Sequence, residues 1–124
     1  MIVRRVVIGL ALAGFVSACG SDSPSGPSTG SGGSTGTSVS ISSGASTRGA
    51  NAYAPNPVTI TSGTTVVWTN NDSIAHTSTS ETPGVFDSGT IAAGGKFSFT
   101  FQNKGTVAYH CTIHPGMVGT IVVQ

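Results

Sequence analysis

The run Gly105-Thr106-Val107-Ala108-Tyr109-His110-Cys111-Thr112-Ile113-His114-Pro115-Gly116-Met117 decides how this chain folds. It begins as a β-branched and aromatic strand, breaks at a turn, and gives way to a second strand-like segment, Gly119-Thr120-Ile121-Val122-Val123. Side chains alternate faces along a strand. Val107, Tyr109 and Cys111 therefore share one face, read as inward, while Ala108 and His110 face outward. Cys111 is expected at the inner end of the strand, and His110, although adjacent to it, is expected to point away. Pro115 biases His114 toward extended backbone, so the loop from Thr112 to Gly116 can turn back and bring His114 and Met117 to the same point as Cys111. Gly116 and Gly119 are expected to relieve crowding around this turn.

The same grammar extends upstream. Val58-Thr59-Ile60, Thr64-Thr65-Val66-Val67-Trp68-Thr69 and Lys96-Phe97-Ser98-Phe99-Thr100-Phe101 are further short strand-like runs. Ser62-Gly63, Asn70-Asn71-Asp72, Gly94-Gly95 and Asn103-Lys104-Gly105 punctuate them as turns. No helical apolar period of useful length follows the first twenty residues. The pattern predicts an all-β domain, a sandwich or a barrel. Phe97, Phe99 and Phe101 alternate with Lys96, Ser98 and Thr100, so the three rings are assigned to the core, as is Trp68.

Cys111, His114 and Met117 are spaced three apart, and His76 follows the loop Asn70 to Ala75. Two imidazoles, one thiolate and a weak axial thioether form the ligand set of a blue-copper electron-transfer site. Sulfur suits copper(I) and imidazole suits copper(II), so a mixed set serves both. Cys111 must bind as thiolate, so metal uptake releases a proton and weakens at low pH. Zinc is a competing occupant of a His2Cys set, but methionine is a poor zinc ligand. A metal-free domain with Cys111 as a buried thiol is the plainer alternative.

Charged residues make up only 7% of the 124, and the net charge is +1. With no basic stripe, no nucleic-acid partner is expected. Arg4 and Arg5 followed by the apolar Val6 to Val16 read as a signal peptide over 1–18. The arginine pair also raises, weakly, a twin-arginine export signal. Val16-Ser17-Ala18-Cys19 resembles a bacterial lipobox, in which Cys19 is acylated; the alternative is an ordinary signal peptide followed by an incidental cysteine. Acylation of Cys19 and metal binding by Cys111 use both cysteines, although a Cys19–Cys111 disulfide is conceivable in an oxidising compartment. Residues 19–47 are expected to be a flexible Ser/Gly/Thr-rich tether, with the folded domain over 48–124. Val39-Ser40-Ile41 belongs either to the end of the tether or to the start of the fold.

From about Ala54 to Val123 the chain resembles a cupredoxin of the plastocyanin/amicyanin group. The likeness is carried by Pro57 to Ile60, Gly63 to Asn70, His76-Thr77 and Gly105 to Met117, and the short Cys-to-Met loop is most similar to amicyanin. It implies a Greek-key β-sandwich of about eight strands with one copper ion near one end, held by His76, Cys111, His114 and Met117. It further implies that His114 is the solvent-edge ligand, amid an apolar patch that includes Pro115. Thr77 departs from the asparagine frequent at that position, which ties the two ligand loops together beside the sulfur; Thr77 can do so through its N–H or hydroxyl. The expected function is a monomeric, non-enzymatic carrier of single electrons between extracytoplasmic redox proteins, anchored to a membrane through Cys19. Glu81 and Asp87 are expected to be solvated. A copper-delivery protein with the same ligands and no electron-transfer role is the alternative.

Overall fold

Alternation of apolar and hydroxyl residues builds the strands of this protein. Its structure, a computed structural model, describes residues 36–124. Eight strands form: β1 Gly36–Ile41, β2 Tyr53–Ala54, β3 Val58–Ile60, β4 Thr64–Asn70, β5 Thr79–Ser80, β6 Lys96–Phe101, β7 Gly105–His110 and β8 Val118–Val123. They make two four-stranded sheets, ordered β2-β1-β4-β6 and β3-β8-β7-β5. Only β1–β2 and β7–β8 are consecutive strands within one sheet; every other connection crosses between sheets. The expected eight-strand sandwich is what forms.

The tether boundary is corrected. β1 lies within the stretch assigned to the tether, and it pairs in parallel with β4 from Gly36↔Thr65 to Ile41↔Asn70. Two short 3-10 turns follow, Ala45–Thr47 and Gly49–Asn51. The fold therefore starts at least twelve residues before position 48, and Val39 and Ile41, both fully buried, are core residues. The expected signal peptide, Cys19 and the rest of the tether lie outside the described residues.

β4 buries every second residue, Thr64, Val66, Trp68 and Asn70, and β8 buries Gly119, Ile121 and Val123. Trp68 is the hub of the core, with ring centroids 5.2 Å from Phe86, 5.6 Å from Phe97 and 5.6 Å from Tyr109. Phe101 is buried, and Phe97 and Phe99 pack half-buried against the cluster. Full burial of one such side chain contributes roughly 1.5–3 kcal/mol. Phe86, which the strand pattern does not mark, enters this core from the loop between β5 and β6. Glu81 and Asp87 are exposed, as expected.

Gly119 sits directly opposite Tyr109 in the β7–β8 pair. A Cβ there would fall on the Tyr109 ring. Gly119 thus makes room for an aromatic ring rather than for the turn. Gly116 has open space around a notional Cβ and relieves no crowding, which corrects that expectation.

Candidate metal centre

Segments 42–52, 71–78 and 111–117 converge, with Ala45 N–H donating to Asp72 and Thr77 N–H donating to Cys111 Sγ. Each candidate ligand is pinned by its backbone. His76 exchanges hydrogen bonds with Ile91, N to O at 3.1 Å and O from N at 2.7 Å. Cys111 N–H donates to Met117 O at 3.1 Å, and Met117 N–H donates to His114 O at 2.9 Å. The 111–117 loop is thereby closed on itself, with Cys111 at its root.

Three donor atoms meet there. Cys111 Sγ lies 3.9 Å from His76 Nδ1 and 3.9 Å from His114 Nδ1, and the two Nδ1 atoms are 3.2 Å apart. The point equidistant from all three is about 2.1 Å from each, close to the bonds of about 2.0–2.1 Å to imidazole and about 2.3 Å to thiolate seen for first-row zinc. The donor set therefore fits one transition-metal ion. Cys111, His76 and Met117 are fully buried, whereas His114 is half-buried. His110 stays on β7, paired with Thr79 and Val118, and is not part of the cluster, as the alternation predicts.

Thr77 ties the two loops together by both routes. Its N–H donates to Cys111 Sγ at 3.3 Å, and its hydroxyl oxygen accepts from Thr112 N–H at 2.9 Å. Tyr53, which the sequence pattern does not single out, closes the same corner by donating to Thr77 O at 2.5 Å. Burial, with the Cys111 sulfur adding, pushes the Tyr53 hydroxyl above the ordinary phenol range. Burial pushes Tyr109 up to about 12, partly offset by Trp68.

Asp72 is also unmarked by sequence pattern, since an Asn-Asn-Asp run reads as a turn. Its Oδ2 lies 2.8 Å from His76 Nε2. That hydrogen bond is the main reason its carboxyl is held well below the usual carboxylate range; the amides of Gly44, Ser73 and Ala45 add to it, against an opposing desolvation. An aspartate four residues before a buried histidine is the sequence signal that would reveal the pair.

The family model for copper binding proteins of the plastocyanin/azurin type matches residues 39–124. The chain belongs to this copper-binding family. A plastocyanin from Scenedesmus fuscus is 35% identical over 88 residues, covering 61% of this chain and 90% of that protein. A purple cupredoxin from Nitrosopumilus maritimus is similar in structure, with a TM-score of 0.66, 31% identity, and coverage of 71% of this chain and 99% of that one. A copper(I) form of an amicyanin variant gives a TM-score of 0.60 at 26% identity, covering 72% and 82%. This cupredoxin therefore takes copper as its cofactor, and its family is one of copper-binding electron carriers in general.

Proposed function

We propose that this cupredoxin carries single electrons between extracytoplasmic redox proteins, with His76, Cys111 and His114 as its close copper ligands and Met117 as a weaker axial one. The triangle of two Nδ1 atoms and one buried Sγ carries this reading. Copper held there supplies one-electron exchange between its +1 and +2 states. The protein's part is to keep that exchange free of large movement. His76 is fixed through Ile91, Cys111 through Met117 and Thr77, and the loops are joined through Thr112. Full burial of Cys111 and Met117 excludes water from both sulfur atoms. Met117 belongs to the closed 111–117 loop, and its complete burial beside Cys111 supports the axial assignment.

His114 is the half-buried member of the set and is the natural edge for electron transfer. Its neighbours Ile113 and Pro115 are exposed, Ile113 at 48%. An apolar surface with little charge docks partners by contact rather than by long-range steering. The described residues hold Arg48, Lys96 and Lys104 against Asp72, Glu81 and Asp87, which supports that mode.

We assign the chain to an extracytoplasmic membrane surface through a signal peptide over 1–18, acylation at Cys19, and a Ser/Gly/Thr-rich connection that ends by residue 35. It acts as a monomer and is not an enzyme. Voltammetry of the copper-loaded protein tests electron carriage: reversible cycling with the metal retained is expected. Loss of copper to an acceptor during cycling would instead favour delivery.

A further inference from the structure

We propose that Asp72 is a positioning residue for the metal centre: its carboxylate fixes the tautomer and orientation of His76 and holds the reduction potential down. The inference rests on the assignment of His76 as a ligand. An ionised carboxylate can only accept a hydrogen bond, so His76 Nε2 is the donor in the 2.8 Å contact, and in the neutral ring Nδ1 then keeps its lone pair. Nδ1 is the atom that faces Cys111 Sγ and His114 Nδ1. The far side of the ring thus decides what the near side can do.

The carboxylate is itself held on both oxygens. Oδ2 also accepts from Ala45 N–H at 3.1 Å, and Oδ1 accepts from Ser73 N–H at 2.8 Å. Asp72 N–H donates to Asn70 Oδ1 at 2.9 Å, and the buried Asn70 amide donates to Ile74 O and Ile91 O. Ala45 opens the first 3-10 turn after β1, so the segment preceding β2 reaches Asp72 through backbone amides. These contacts hold the Asp72 carboxylate on both oxygens and orient it toward His76.

A hydrogen bond to a neutral carbonyl would orient the ring equally well. A carboxylate does something further. The Asp72 and His76 side chains are 5% and 0% exposed, and a buried negative charge is costly unless it is compensated. The His76 N–H and the amides of Ala45, Ser73 and Gly44 compensate it, and a cation held at Nδ1 would add to that balance. The same charge favours a doubly charged ion over a singly charged one, and therefore lowers the potential. Among the described residues no second carboxylate pairs with a histidine, so His114 has no counterpart.

The test starts with the metal-free protein. Nitrogen-15 NMR of His76 is expected to show the Nε2–H tautomer, and an Nδ1–H form overturns the proposal before any variant is made. In the copper-loaded protein, Asp72→Asn is expected to shift the potential upward and to weaken copper(II) binding about 10- to 100-fold, with copper(I) binding weakened less. Asp72→Glu keeps the charge and is expected to return the potential toward that of the parent. Equal potentials in the parent and Asp72→Asn, both showing a thiolate-to-copper band, overturn the role of Asp72 and leave the ligand set standing. Absence of the band from the parent protein overturns the ligand set and this proposal with it.

Discussion

Thr77 N–H donates to Cys111 Sγ at 3.3 Å, which couples the loop after β4 to the loop after β7 at the buried sulfur. The Thr77 hydroxyl makes the second half of the clasp, to Thr112 N–H. Thr77→Val removes that second half, together with the hydroxyl's contacts to Thr112 Oγ1 and Thr79 Oγ1, and keeps the N–H to sulfur. It should destabilise the protein by about 0.5–1.5 kcal/mol in urea unfolding and leave the thiolate-to-copper band in place, because the N–H to sulfur remains. Loss of the band would mean that the hydroxyl, not the N–H, holds the sulfur.

Met117→Leu should retain copper and move its potential upward. Removing a thioether takes a donor away from the oxidised ion, which gains more from a fourth ligand than the reduced ion does, and the axial position tunes the potential of such sites. Voltammetry checks this. An unchanged potential and spectrum would remove Met117 from the site.

Gly119→Ala should destabilise the fold by about 1–3 kcal/mol or more, because the new methyl lands on the Tyr109 ring. Gly116→Ala should be nearly neutral, with open space around its Cβ. Thermal unfolding of both variants compares them. Equal losses would show that the turn, not the ring, sets the requirement.

β4, β6, β7 and β8 are legible because apolar and aromatic residues recur at every second place, on a face fully buried in β4 and β8 and partly buried in β6 and β7. β1 is not, because only Val39 and Ile41 point inward and Ser38 and Ser40 give it the composition of a linker. Cys111, His114, Met117 and His76 announce themselves by chemistry and spacing. Asp72, Tyr53 and Phe86 do not. Tyr53 and Phe86 act across elements, through tertiary approach to Thr77 and Trp68, which periodicity within one element does not record. Asp72 lies in the same loop as His76, four residues before it, and is hidden by a run that reads as a turn.

Alkaline pH should destabilise the protein through its buried phenols. Tyr53 and Tyr109 both titrate above the ordinary tyrosine value when folded, Tyr109 at about 12. Their neutral forms therefore favour the folded state fully below the unfolded value of about 10, and that contribution declines as pH rises from there through 12. Ultraviolet titration should show no phenolate from these two residues until unfolding begins. Early, reversible ionisation of both with the fold intact would contradict their burial.

The most direct test of the account is the visible absorption and EPR spectrum of the copper(II)-loaded protein beside its Cys111→Ser variant. An intense thiolate-to-copper charge-transfer band is expected in the parent, bleached by reductant, restored by oxidant and absent from the variant. A folded parent protein that binds copper(II) without that band would contradict it, because the Cys111 sulfur would then not be bonded to the metal.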